Sequence, residues 1–242
     1  EKDIDFLIFK NVNDQKNLKK LKNYNCDIFV SMSYDQIIKK ELIAVPPKGF
    51  INCHAGALPF YRGRNVLNWV LINDEKNFGI TAHYIDEGID TGDIILQEKF
   101  PITDDDDYSS LLEIAYFNCP IILLKAINMI NESKAKRLPQ NNIDSYGSYY
   151  RKRLPGDEFI SWKWTSRRIF NFIRSLTLPG PIARTTIYNK EIFIKKSKLI
   201  KNQIKSNNLP GTILKIDKEG ILVKTIDSCL IITDYSFFHN NN

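Results

Sequence analysis

The chain is poor in histidine, cysteine and methionine, and each scarcity removes a class of function. Of 242 residues, three are histidine, four cysteine and two methionine. Cys26, Cys53, Cys119 and Cys229 stand apart with no C-x-x-C spacing, which argues against a zinc ribbon or a disulfide framework and leaves buried free thiols in a reducing compartment. No metal site is expected. Ser31 and Ser33 lack the G-x-S-x-G elbow of a serine hydrolase, so no activated nucleophile is evident. No stretch approaches the roughly 20 apolar residues a membrane span needs, and the charged start Glu1-Lys2-Asp3 does not read as a secretory leader. A cytoplasmic location with no membrane partner is expected.

What is present describes an ordinary globular chain long enough to bury a sizeable core, with 43% hydrophobic and 26% charged residues. The net charge of +6, most of it lysine, favours an acidic partner without separating nucleic acid from a phosphorylated metabolite. Residues 4–9, IDFLIF, suit a buried strand, and Asn13 to Tyr24 suits an amphipathic helix with Leu18 and Leu21 inward. A strand at Asp27 to Ser31 precedes a helix predicted from Tyr34 to Ala44, which Pro46-Pro47 ends. Gly49 to Cys53 is the next strand. Strands alternating with helices imply a parallel, doubly wound sheet, whose ligands lie at the strands' carboxyl ends.

Chemistry concentrates between Gly49 and Glu98. Residues i and i+2 of a strand share a face, so Asn52 and His54 would project together while Cys53 points away. An imidazole is the ordinary general base near neutrality. A carboxylate such as Asp90, in a Gly-bounded loop, can orient that ring, and the neutral amide of Asn52 can stabilise an oxyanion. The set suits attack of an external nucleophile on a carbonyl, although a lone N-x-H is also what a structural histidine looks like. His83, in a strand from Gly79 to Ile85, reads as a supporting histidine rather than a second base. Arg62 and Arg64 flank Gly63 before a helix starting near Asn65, a pattern suited to phosphate oxygens.

Four successive acids, Asp104 to Asp107, precede the apolar segment Leu111 to Ile130. They read as helix-terminal carboxylates rather than metal ligands. Pro120 is expected to kink that helix or divide it. Thr165 is positioned to cap a helix with Ile169, Phe170, Ile173 and Leu176 inward. From Ala183 onward short β runs follow, with a hairpin turn at Asp217 to Gly220.

Asn52-Cys53-His54, Leu58-Pro59 and Asp90-Thr91-Gly92, in that order and spacing, resemble the catalytic core of the folate-dependent formyltransferases. Tyr61-Arg62-Gly63-Arg64 followed by Leu67-Asn68-Trp69 resembles the branch that formylates amines of nucleotide-linked sugars. Arg153-Leu154-Pro155-Gly156-Asp157 with Ile160 and Trp162 resembles the family's linker segment. The resemblance implies an α/β fold: an abbreviated Rossmann-like, doubly wound formyltransferase core with a small C-terminal β subdomain. The core would occupy 1–150, a helical linker 151–182 and the β subdomain 183–242. The family has more chain before the Asn-x-His element, and its glycine-containing first turn is not visible here, which puts contacts from that region in doubt.

The resemblance further implies catalysis by Asn52, His54 and Asp90. It implies 10-formyltetrahydrofolate as formyl donor, held by Ser33, Tyr34, Asp35, Ile37, Ile38, Asp86 and Gly88. The acceptor would be the amine of a nucleotide-linked amino sugar held by Arg64, Arg62 and Tyr61, with dTDP-4-amino-4,6-dideoxyglucose the leading choice, serving O-antigen (lipopolysaccharide) or other surface polysaccharide synthesis. A homodimer without nucleic acid is the family expectation. The alternatives are a methionyl-tRNA formyltransferase, which the positive charge favours and the short β subdomain disfavours, and a non-catalytic folate- or nucleotide-binding regulator.

Overall fold

The computed structural model describes residues 4–201, 204 and 206–237. The charged start Glu1 to Asp3 and residues 238–242, assigned above to the β subdomain, lie outside them. The elements run α1 (Gln15–Lys22), β1 (Phe29–Met32), α2 (Lys40–Ile43), β2 (Phe50–His54), β3 (Arg62–Gly63), α3 (Val66–Ile72), β4 (Asn77–Tyr84), β5 (Ile94–Pro101), α4 (Tyr108–Asn131), β6 (Tyr149–Tyr150), α5 (Ser166–Arg174), then β7 (Ala183–Ile187), β8 (Lys190–Leu199), β9 (Ile213–Asp217), β10 (Gly220–Lys224) and β11 (Cys229–Phe237). Two compact units emerge. One comprises Glu1–Arg62, Gly79–Lys99 and Phe117–Tyr149, the other Gly63–Phe78, Phe100–Tyr116 and Tyr150–Asn242.

The first sheet has the order β1-β2-β4-β5. β1 and β2 are parallel, Ser31 opposite Asn52, as the strand–helix alternation predicts. β4 pairs with β2 antiparallel, setting Asn52 opposite His83 and His54 opposite Thr81, so the sheet is mixed.

Several local expectations fail for identifiable reasons. The run 4–9 forms no strand, and Ile4, Phe6 and Ile8 are exposed. Helix is confined to 40–43 because side chains occupy the backbone groups upstream. Asn13 bonds the Ile37 carbonyl and the Lys39 amide, each at 2.8 Å, and Gln36 accepts from Val12 and donates to the Phe9 carbonyl. Extended backbone at Lys39 follows. Ile38 packs with Val12, Leu18, Leu42 and Phe50, whereas Ile37 faces outward. Cys26 is exposed; only Cys53, Cys119 and Cys229 are buried.

α4 runs undivided through Pro120. By length and composition it is long and apolar enough to cross a membrane, which the sequence reading had excluded. Its start is fixed by the acids: Asp107 accepts from the Ser110 amide, while Asp106 accepts from the Thr103 amide and the Ser110 hydroxyl. Asp104 pairs with Arg167.

In the second unit, the order β7-β8-β11-β10-β9 makes a five-stranded antiparallel sheet, with β9 and β10 joined by the expected hairpin. Thr165 Oγ1 accepts from the Arg168 amide and starts α5, whose Ile169, Phe170 and Ile173 join Leu176, Ile194, Val223 and Leu230 in one core. Several contacts bind 63–78 and 100–116 to this unit. Asn68 donates to the Ser175 carbonyl at 2.6 Å, Arg167 pairs with Asp74, and Arg174 donates to the Thr103 and Asp106 carbonyls. The Arg167 guanidinium and other donors outweigh burial at Asp74 and draw its carboxyl down to about 2.

Candidate active site

His54 is the last residue of β2, at its carboxyl end, and Asn52 projects from the same face of that strand. The structure brings both together with Asp90. One Asp90 oxygen lies 3.7 Å from His54 Nδ1 and the other 3.7 Å from His83 Nε2, so the carboxylate sits between two imidazoles. Asp90 itself has a left-handed φ of 54°. A non-glycine residue adopts that conformation only where its surroundings hold it.

The tautomers follow from the acceptors. His54 Nε2 lies 2.7 Å from the Tyr61 carbonyl, which can only accept, so Nε2 carries the proton and the neutral ring presents a bare Nδ1 towards Asp90. His83 Nδ1 likewise donates to the Tyr84 carbonyl at 2.8 Å. Its Nε2 therefore accepts from the Asn52 amide at 3.2 Å, which fixes the amide's orientation and engages one of its two protons. Burial pushes the His83 pKa down to about 4, with the attraction of Asp90 opposing and a charge on His54 reinforcing the shift. His83 stays neutral. It is a support for Asn52, as its place in the strand suggested.

A short loop after β2 holds His54. Thr81 Oγ1 donates to the Gly56 carbonyl at 2.7 Å, and Gln97 bridges Thr81 and the Leu58 carbonyl. Gly56 has no room for a side chain, since a Cβ there would sit 2.5 Å from both His54 Nε2 and the Tyr61 carbonyl oxygen. Cys53 points away as expected, its thiol 3.6 Å from the Cys119 carbonyl. That thiol's pKa is pushed up by its bond to Cys119 and by burial, so it is inert.

The remaining candidates separate. Arg62 is placed inside, its Nε and Nη2 both on Gln140 Oε1 at 3.0 and 2.7 Å and Nη1 on the Tyr149 hydroxyl. Its donors serve the protein interior rather than an outside phosphate. Tyr61 is buried and contributes its carbonyl to His54. Arg64 is exposed, its amide bonded to the Tyr150 carbonyl. Ser33, at φ 53°, Tyr34, Asp35 and Ile37 are all exposed after β1, while Ile38 is in the core. Asp86 closes its own loop, accepting from the Gly88 amide at 3.0 Å and from Thr91 at 2.6 Å.

Gln140 is the residue that sequence reasoning missed. Buried, it donates from Nε2 to the Asp90 and Gly92 carbonyls, each at 2.8 Å, while its Oε1 holds Arg62. It lies in the polar stretch 131–150, where composition gave no signal. The only sequence cue is Leu138-Pro139 just before it, whose Leu138 forms a β-bridge with Ile94. Among the described residues no cluster of three or more His, Cys, Asp or Glu could hold a metal ion.

The formyl transferase family matches residues 7–127, and the formyl transferase C-terminal domain matches residues 154–241. This chain belongs to the formyl transferase family. It is 34% identical over 224 residues to the methionyl-tRNA formyltransferase of Clostridium botulinum, covering 93% of this chain and 71% of that one. It is 36% identical over 208 residues to the bifunctional polymyxin resistance protein ArnA of Wigglesworthia glossinidia brevipalpis, covering 86% of this chain but only 31% of that protein. The chain thus spans less than a third of that relative. Among solved structures it is similar to the N-formyltransferase of Helicobacter canadensis in complex with folinic acid and dTDP-3-aminofucose, at 30% identity and TM-score 0.67, covering 86% of this chain and 73% of that one. The sugar 3N-formyl transferase WlaRD, solved with dTDP and 5-N-formyl-tetrahydrofolate, has the same identity and TM-score and covers 92% and 77%. The family's chemistry is folate-dependent formyl transfer. The residues of the first unit suit it: neutral donor, bare imidazole nitrogen and carboxylate converge, and the exposed Ile89 directly precedes Asp90.

Proposed function

We propose that the chain moves a formyl group from 10-formyltetrahydrofolate to the primary amine of a dTDP-linked amino-dideoxy sugar. The observation that carries the chemistry is the bare Nδ1 of His54 beside Asp90, with an amide donor oriented on the same strand face. The donor carries its formyl carbon on N10, outside the pterin rings. The acceptor amine would attack that carbon while His54 takes the amine proton at Nδ1 and Asp90 stabilises the imidazolium; the tetrahedral adduct then breaks its C–N10 bond, and the imidazolium returns the proton to N10 as tetrahydrofolate leaves. The Asn52 proton not engaged by His83 serves the oxyanion of the formyl group. No covalent link to the protein is formed.

The donor would lie against Ser33, Tyr34, Asp35, Ile37, Asp86 and Gly88, and Arg64 is the residue we assign to the diphosphate. The interior place of Arg62 removes it from that role, and Ile38 supports the wall from behind. The sugar reading is supported by the likeness to two sugar N-formyltransferases. One was solved with dTDP-3-aminofucose and the other is named a sugar 3N-formyl transferase, so the 3-amino isomer stands beside the dTDP-4-amino-4,6-dideoxyglucose expected from sequence, each serving surface polysaccharide synthesis. A cytoplasmic homodimer completes the proposal.

A second reading, methionyl-tRNA formylation, is favoured by the similarity to such enzymes and by the net charge of +6. Mass spectrometry separates them. Purified protein with 10-formyltetrahydrofolate is offered dTDP- and UDP-linked 3- and 4-amino sugars and methionyl-tRNA. A gain of one formyl group on a dTDP sugar is expected; formylation of the tRNA alone overturns the sugar assignment.

A further inference from the structure

Within the first unit, the stretch 144–149 grips the loop that orients His54. Ser148 is the point of contact, bonded three times to the segment 59–62. Its amide donates to the Pro59 carbonyl at 3.2 Å, its carbonyl accepts from the Arg62 amide at 3.0 Å, and its hydroxyl oxygen accepts from the Tyr61 amide at 3.0 Å. The turn before it is shaped for this approach. Asp144 accepts from the Tyr146 and Gly147 amides at 2.9 and 2.7 Å. Gly147 has a φ of 61° and no room for a side chain, since a Cβ there would fall 2.5 Å from the Pro59 carbonyl oxygen.

We infer that Ser148 is a positioning residue for His54, holding the Tyr61 peptide in the orientation that keeps the imidazole proton on Nε2 and leaves Nδ1 bare. The inference deepens the formyl-transfer reading and rests on it for the rate that would change. Tyr61 has a left-handed φ of 57°, which a tyrosine keeps only where its flanking peptides are held. Ser148 holds both. The Arg62 N–H that its carbonyl accepts lies in the same peptide plane as the Tyr61 carbonyl, so that bond aims the oxygen 2.7 Å from His54 Nε2. The hydroxyl fixes the preceding peptide through the Tyr61 N–H. An imidazole adopts the tautomer that its hydrogen-bond partner dictates. Were the Tyr61 peptide to turn away, the ring proton would pass to Nδ1, beside the Asp90 carboxylate, and the bare nitrogen would face the loop instead of the reaction. Substitution at position 148 removes the hydroxyl alone and leaves the two backbone bonds of this grip in place.

Nitrogen-15 NMR of the whole protein labelled at histidine tests this without folate or acceptor, so failure of the inference and failure of the formyl-transfer reading are told apart. The chain has three histidines, and His54→Gln and His83→Gln assign the signals. The unaltered protein should show His54 protonated at Nε2 and His83 at Nδ1, opposite tautomers in one spectrum. Ser148→Ala should admit an Nδ1-protonated population of His54 while His83 stays as it was. The same variant should lose about 10- to 10²-fold in kcat with both KM values within about threefold. Ser148→Thr, which keeps a hydroxyl, should recover the tautomer and the rate. His54 protonated at Nδ1 in the unaltered protein, a result that needs no variant to fold, would overturn the inference. So would a Ser148→Ala protein whose His54 tautomer is unchanged, whether its rate falls through general loosening or stays the same.

Discussion

His54 can exchange a proton only at Nδ1, because its Nε2 is committed to the Tyr61 carbonyl. Everything that holds that bond therefore acts on the reaction. Gly56 is the tightest case: the methyl of Gly56→Ala would enter the space of His54 Nε2 and the Tyr61 oxygen. Because the collision is with the Tyr61 backbone oxygen as well as the His54 ring, the variant should lose stability and, in its folded fraction, about 10²-fold in kcat through ring displacement. Steady-state kinetics with the folded fraction checked by circular dichroism reads this directly. His83 gives a different signature. Its pKa is lowered to about 4 in the folded protein against an ordinary value of 6.5, so between those values the unfolded chain binds the extra proton. The stability from keeping His83 neutral is fully present above pH 6.5 and is lost as pH falls towards 4. Comparing pH 7 with pH 5, the unaltered protein should lose about 2 kcal/mol more than His83→Gln in urea unfolding. Equal losses would show that His83 is not held neutral.

Gln140 ties three segments of the first unit together: the Asp90 loop, the end of β5's approach at Gly92, and Arg62 at the start of β3. Gln140→Leu strands two carbonyls and a buried guanidinium, and a loss of about 3 kcal/mol or more in denaturant unfolding is expected. At α5 the account is simpler. Thr165→Ala removes the acceptor for the Arg168 amide and should cost about 1 kcal/mol. The elements that sequence located best are those whose determinants are local. Thr165 and its apolar spacing, the Asp106–Asp107 helix start, and the turn before Gly220 all carry their reasons within a few residues. The helix expected at 34–44 is confined to 40–43 because Asn13, from a distance, takes the Ile37 carbonyl and the Lys39 amide. Periodicity cannot register that competition.

At the scale of the whole molecule the candidate site was legible in part. Asn52, His54 and Asp90 were readable because i and i+2 of a strand share a face and because their order and spacing match a family, and the structure places them within one constellation. The interior fate of Arg62 was not readable, since an arginine that leads into a helix looks the same whether it meets phosphate or a buried glutamine 78 positions away. Antiparallel β4 was hidden for a related reason: nothing in a strand's own sequence states its partner's direction. The outward face of α4 was read only as apolar, and the structure shows which half of that apolarity the core leaves uncovered.

The central claim is that Asn52, His54 and Asp90 perform formyl transfer as a unit. The most direct measurement is the single-turnover rate of formyl transfer to the accepted amine for Asn52→Ala, His54→Ala and Asp90→Ala, with folate affinity measured by titration on the same proteins. Each variant is predicted to lose about 10²- to 10⁴-fold in rate while keeping folate affinity within a few fold. Because the three act together, the triple variant should be scarcely slower than the worst single one. A rate that survives His54→Ala within about tenfold would contradict the account and place the proton transfer on another group.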